Sequence, residues 1–131
     1  MAKEVLPVRR HLPETRSGLT RKVTVAGHEY YLTVNFFEDT SEPAEVFLAI
    51  SKEGSTLSGV FDSLVTTISI ALQYSVPWKV LAKKYRFTRF EPNELPDTPS
   101  LVHSIADTID ALIAQHRGLW EDKGTNVDVE S

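Results

Sequence analysis

The sequence predicts an α+β domain, a three-stranded antiparallel meander packed against about three helices. Two observations carry that expectation. Apolar residues alternate with polar ones in short runs between residues 21 and 51, which is the period of half-buried strands. From Leu57 onward they recur every three or four residues instead, the period of amphipathic helices. A length of 131 residues, 41% apolar and 24% charged, suits one hydrophobic core.

Residues 1–19 hold Pro7, Pro13 and Ser17-Gly18 with no sustained apolar period, and read as an extended arm. The body, residues 20–117, opens with Val23 and Val25 alternating along Arg21 to Val25; Ala26-Gly27-His28 supplies a hairpin turn. Glu29 to Glu38 sets Tyr30, Leu32, Val34 and Phe36 on one face and Tyr31, Thr33, Asn35 and Phe37 on the other. That second face is aromatic enough to want cover from a helix, the arm or another subunit. Glu45 to Ser51 forms the third run, with Val46, Leu48 and Ile50 facing together. Leu57, Val60, Phe61, Leu64, Ile68, Ala71 and Leu72 then mark a central helix, capped by Ser55 or Thr56. Trp78 to Tyr85 packs Val80, Leu81 and Tyr85, and residues 87–97 form a loop. Thr98-Pro99 starts a last helix buried through Leu101, Ile105, Ile109, Leu112 and Ile113. Gly118 is expected to stop it, leaving residues 118–131 as a mobile acidic tail.

Composition narrows the function. With no cysteine there are no disulfides, thiolate metal sites, iron–sulfur clusters or cysteine nucleophiles. No run approaches a bilayer span and Met1 to Arg10 lacks a signal-peptide core, so no membrane association and a cytoplasmic address are expected. A net charge of −4 makes nucleic acid an unfavourable partner. Basic residues gather at Arg9 to Lys22 and at Lys79 to Arg89, either as solvated surface or as binding charge.

Leu12-Pro13, Arg16, Gly18, Thr20 and Lys22 are followed by Gly27 with Tyr30, Glu45-Val46-Phe47, Lys52-Glu53-Gly54-Ser55, Gly59 and Asp62. Ile68-Ser69, Ala71-Leu72-Gln73-Tyr74, Val76-Pro77, Lys83 and Arg89-Phe90-Glu91-Pro92 complete the series. In this order and spacing, residues 11 to 115 resemble the TSCPD domain near the C-terminus of adenosylcobalamin-dependent ribonucleotide reductases. The chain looks like a short stand-alone copy of it. Three features depart from the pattern: Ser75 stands where a glycine is usual, the loop after Glu91-Pro92 lacks its glycine, and no cysteine pair follows. The resemblance implies neither cobalamin binding nor radical chemistry, which belong to the reductase barrel, and no cofactor is expected.

The sharpest local feature is Lys52-Glu53-Gly54-Ser55-Thr56, a strand-to-helix turn with a lysine and two hydroxyls. Orphan N–H groups and the helix dipole there can bind a phosphate, with Lys52, Gly54, Ser55 and Thr56 as the cradle. It is not a P-loop, which needs further glycines and a lysine after them. Arg16, Lys22 and Arg89 would add anion-binding charge if the fold brings them together. The alternatives are a plain helix cap and structural ion pairs. His11, His28, His103 and His116 show no metal-ligand spacing, and Ser55, Ser58 and Ser69 have no histidine nearby in sequence.

The functional expectation is a noncatalytic, nucleotide-associated module that binds a reductase polypeptide or a small phosphorylated ligand such as a nucleotide. The alternative is a structural homo-oligomer without a small-molecule ligand, paired through Tyr31 and Phe37. A small hydrolase or transferase ranks last.

Overall fold

The computed structural model describes residues 7–25, 27–50, 56–86 and 98–130, excluding the side chains of 56–57, 98–100 and 122–130. Three strands, β1 (Ser17–Val25), β2 (His28–Phe36) and β3 (Pro43–Ile50), are followed by helices α1 (Thr56–Gln73), α2 (Trp78–Arg86) and α3 (Thr98–Glu130). The sheet is an antiparallel meander in the order β1-β2-β3, as its alternating pattern predicts. Val25 pairs with His28 across a tight turn in which Gly27 takes φ 76°, a conformation costly for a residue with a Cβ.

All helices lie on one side of the sheet. Tyr30, Leu32, Val34 and Phe36 of β2 point into that side and are no more than 1% exposed. α1 packs along β3, α3 crosses β1 and β2, and α2 packs against α3. Phe61, Val65, Ile68 and Leu72 bring α1 to the core, and Leu101, Ile105, Ile109 and Leu112 bring α3. Tyr30 is satisfied inside by Ser104 Oγ at 2.8 Å and Thr108 Oγ1 at 3.1 Å. A buried phenol otherwise loses its water partners at a cost comparable to a lost hydrogen bond.

Several expectations change. β1 begins at Ser17, inside the predicted arm, because Ser17 to Thr20 continue the ladder opposite Phe36 to Thr33. Val60 is 59% exposed, and Val65 takes the inward place on α1. Val80 is likewise exposed; Trp78 and Ala82 are the buried residues of α2. α3 runs through Gly118 as far as Glu130. A glycine inside a helix costs only about 1 kcal/mol relative to alanine, so without further terminating groups it does not end the helix. Phe37 needs no second subunit: it is 5% exposed, with the Arg10 guanidinium of its own chain 3.6 Å from the ring centroid. Lys52, Gly54, Ser55 and Arg89 lie outside the described residues, as does the side chain of Thr56.

The end of α1 explains one departure from the family pattern. Val76 N–H donates to Ala71 O and Ser75 N–H to Leu72 O, the paired bonds of a Schellman motif. The residue between helix and exit must then be left-handed, and Ser75 has φ 70°. Glycine suits that position; serine carries the steric cost of its Cβ. Ser75→Gly is therefore expected to stabilise the fold by about 0.5–1 kcal/mol, read as a higher urea midpoint with an unchanged slope.

Candidate functional site

The described members of the predicted anion site stand apart. Arg16 Nε donates to Pro13 O at 2.7 Å and Arg16 Nη1 to Glu45 Oε1 at 2.6 Å. Asn35 Nδ2 donates to the same carboxylate oxygen at 2.7 Å, so the Glu45 side chain, 7% exposed, is held by two donors. This cluster sits at the Ser17 end of β1. Lys22, six positions along the strand and therefore about 20 Å away, pairs with Glu29 at 3.5 Å and lies over the Tyr31 ring. Glu45 is also five positions from Ile50, the end of β3 that leads toward α1. The fold thus does not bring Arg16 and Lys22 together.

A second polar centre escaped the sequence reading. Gln73, 6% exposed, donates from Nε2 to Ala44 O at 3.2 Å and accepts from Arg9 Nε at 2.7 Å. Its backbone oxygen accepts from Arg10 N–H at 2.8 Å, so one residue of α1 ties the N-terminal segment to the edge of β3. One turn earlier, Ser69 Oγ accepts from Val46 N–H at 2.8 Å and shares its one proton between Val65 O at 2.9 Å and Val46 O at 3.1 Å. The available signal was two polar residues one turn apart, Ser69 and Gln73, continuing the apolar row of Phe61 and Val65 on α1.

The N-terminal segment, the β2–β3 connection, the α1–α2 turn and α3 enclose a cleft of about 360 Å³. Phe37, Leu72, Trp78 and Ile113 supply its apolar wall, with Arg10, Lys79 and Arg117 at its margin. Arg10 is spent on Asp39, 3.0 Å away, and Asp110 on Trp78 Nε1 and on Arg86. A serine and a histidine do meet in the structure: Ser41 Oγ and His116 Nδ1 are 2.7 Å apart, and His116 stacks on Phe36. Burial pushes the His116 pKa below its ordinary value. Ser41 is 0% exposed, with φ 59° in a turn closed by Phe37, so its oxygen is closed to a substrate. The pair is structural.

The face of the sheet turned away from the helices is open. Tyr31 is 45% and Phe47 53% exposed, on neighbouring strands in the diagonal register set by Tyr31 opposite Ala49 and Thr33 opposite Phe47. Two exposed aromatics side by side on a rigid sheet make a hydrophobic contact surface.

The family model described as TSCPD domain matches residues 5–117, most of the chain and all three strands. The chain belongs to the TSCPD domain family. Its relatives include a vitamin B12-dependent ribonucleotide reductase of Rhodopirellula baltica, 50% identical over 66% of this chain and 8% of the relative. Another, from Streptantibioticus cattleyicolor, is 44% identical over 81% of this chain and 18% of the relative. A third, from Agrobacterium fabrum, is 38% identical over 64% of this chain and 6% of the relative. The chain therefore spans less than a fifth of the reductases it matches. No solved structure matches it. In this TSCPD domain the quoted family residues Gln73, Glu45, Arg16 and Tyr30 form the hydrogen-bonded supports described above. These four residues of the family pattern serve the fold. No helix among the described residues is long and apolar enough to cross a membrane.

Proposed function

We propose that this TSCPD domain is a noncatalytic module that binds a ribonucleotide reductase polypeptide through the open face of its sheet. The observation that supports it is the exposed Tyr31–Phe47 pair, in a chain that spans 8% and 18% of two reductases similar to it. A domain that accompanies a much larger polypeptide in its relatives has a natural surface for one where its aromatics face water. The test is sedimentation velocity with a vitamin B12-dependent ribonucleotide reductase from which the matching region has been deleted. A complex should form, and Phe47→Asp should weaken it at least tenfold, about 1.4 kcal/mol, without lowering the melting temperature. Absence of a complex at high micromolar concentration overturns the reading.

The same aromatics support a second reading, self-association into a homodimer, which the protein alone would reveal by sedimenting as a dimer. A small phosphorylated ligand at Lys52, Gly54, Ser55 and Thr56 would draw its further charge from Arg89 or from a Lys22 released from Glu29, because Arg16 is engaged by Glu45 at the other end of the strands.

A further inference from the structure

The two edges of the sheet differ. Along its Ala44–Val46 stretch β3 is covered by side chains of α1: Ser69 Oγ accepts from Val46 N–H and shares its proton between Val46 O and Val65 O, and Gln73 bonds Ala44 O. In an antiparallel ladder, backbone groups point alternately to the two sides. Val46 turns its groups outward to α1, so Val34 opposite it turns toward β1, and Leu19 returns those bonds. By the same alternation Gly18, Thr20, Lys22 and Thr24 aim their N–H and C=O groups away from the sheet. The 2.7 Å contact between Thr20 Oγ1 and Thr33 Oγ1 fits such a pair, whose side chains lie closest. All four residues are exposed, and no hydrogen bond from another described residue reaches their backbone.

Edges are normally blunted by shortness, proline, a bulge or charged side chains, and of these β1 carries only the last, Arg21 and Lys22. β1 has nine residues, no proline and an unbroken register with β2. Beside it runs a groove of about 520 Å³ between β1 and α3, floored by Val25, Ser104, Thr108 and Ala111. Of the charges lining it, Asp107 lies 3.7 Å from Arg86, which it shares with Asp110, while the one contact of Arg21 to another described side chain is neutral, to Gln115 Oε1 at 2.9 Å. A free edge beside a helix-walled groove is the geometry of strand addition, in which backbone bonds supply affinity and alternate side chains specificity.

We infer that β1 accepts an extended segment of a partner polypeptide as a fourth strand, with small apolar side chains in the groove and an acidic one at Arg21. This rests on the reading above that the partner is a polypeptide. A second copy fits less well: twofold pairing over the full length of β1 sets its central residue Arg21 against its own copy, and like charges directly opposite destabilise a pair.

The test is an NMR titration of the full-length, nitrogen-15-labelled chain with a short synthetic peptide alternating valine and serine around one glutamate. A twin peptide with lysine in place of glutamate is the control. Shifts should be confined to β1 and to residues 103–111 of α3, the Thr20 and Lys22 amides should gain exchange protection, and the glutamate peptide should bind roughly fivefold or more tightly than its twin. Arg21→Glu should reverse that preference. Thr20→Pro removes an outward donor without touching the ladder to β2 and should abolish binding. No shifts at saturation, shifts centred on Tyr31 and Phe47, or Thr20 protection that rises with protein concentration without peptide overturns the inference. A reductase complex indifferent to both substitutions also overturns it and leaves the module reading standing; peptide capture without any reductase complex does the reverse.

Discussion

Leu32→Ala is expected to lower the unfolding free energy by about 2–5 kcal/mol, a large share of the ~5–15 kcal/mol typical of a domain this size. Leu32 is 0% exposed on the central strand, facing the side where α1 and α3 meet the sheet. Its truncation leaves a cavity that neither helix can fill without losing its own contacts. Urea unfolding should show a lower midpoint with an unchanged slope. Tyr31→Ala, the next residue along the strand but on the open face, should stay within about 1 kcal/mol of the parent. Equal losses at the two positions would contradict the one-sided burial.

Gln73→Ala should cost about 1–3 kcal/mol, because Ala44 O loses its donor in a buried position and Arg9 its acceptor. The second effect has its own readout: trypsin should cut after Arg9 or Arg10 several times faster once the side-chain tether is gone. Gln73→Glu separates the two roles. A carboxylate still accepts from Arg9 and should keep the N-terminal segment slow to cut, while leaving Ala44 O without a donor, so the stability loss should remain. Unchanged cleavage in Gln73→Ala would mean that the backbone bond from Arg10 to Gln73 holds the segment alone.

The strand and helix periods were legible in the sequence because each is a local steric property. Alternation in Glu29 to Glu38 identified the buried face of β2 residue by residue, and the three-to-four spacing located α1 and α3. Boundaries were less legible. Gly118 resembles a stop but costs too little to be one by itself, and Ser17 to Thr20 become strand through pairing with β2. The Schellman exit could be foreseen only as a missing glycine; the φ of 70° at Ser75 states why a glycine belongs there.

By itself, then, the sequence determined the family, the meander and the buried face of β2, but not every inward residue of α1 and α2. Tertiary structure alone decided the partners of the polar side chains. Arg16 meets Glu45, 29 positions away, and Ser41 meets His116, 75 positions away. Arg9 reaches Gln73 across 64 positions. The physical reason is range. Backbone sterics and side-chain period act between neighbours and leave a repeating trace, whereas an ion pair or a buried hydrogen bond needs two groups that only the packed core brings within 3 Å, and its members carry no mark of each other along the chain. The same reason explains why an arginine picked out as binding charge proved to be engaged by Glu45, and why the difference between the two sheet edges could be recognised only once Ser69 and Gln73 were seen bonding Val46 and Ala44 of β3.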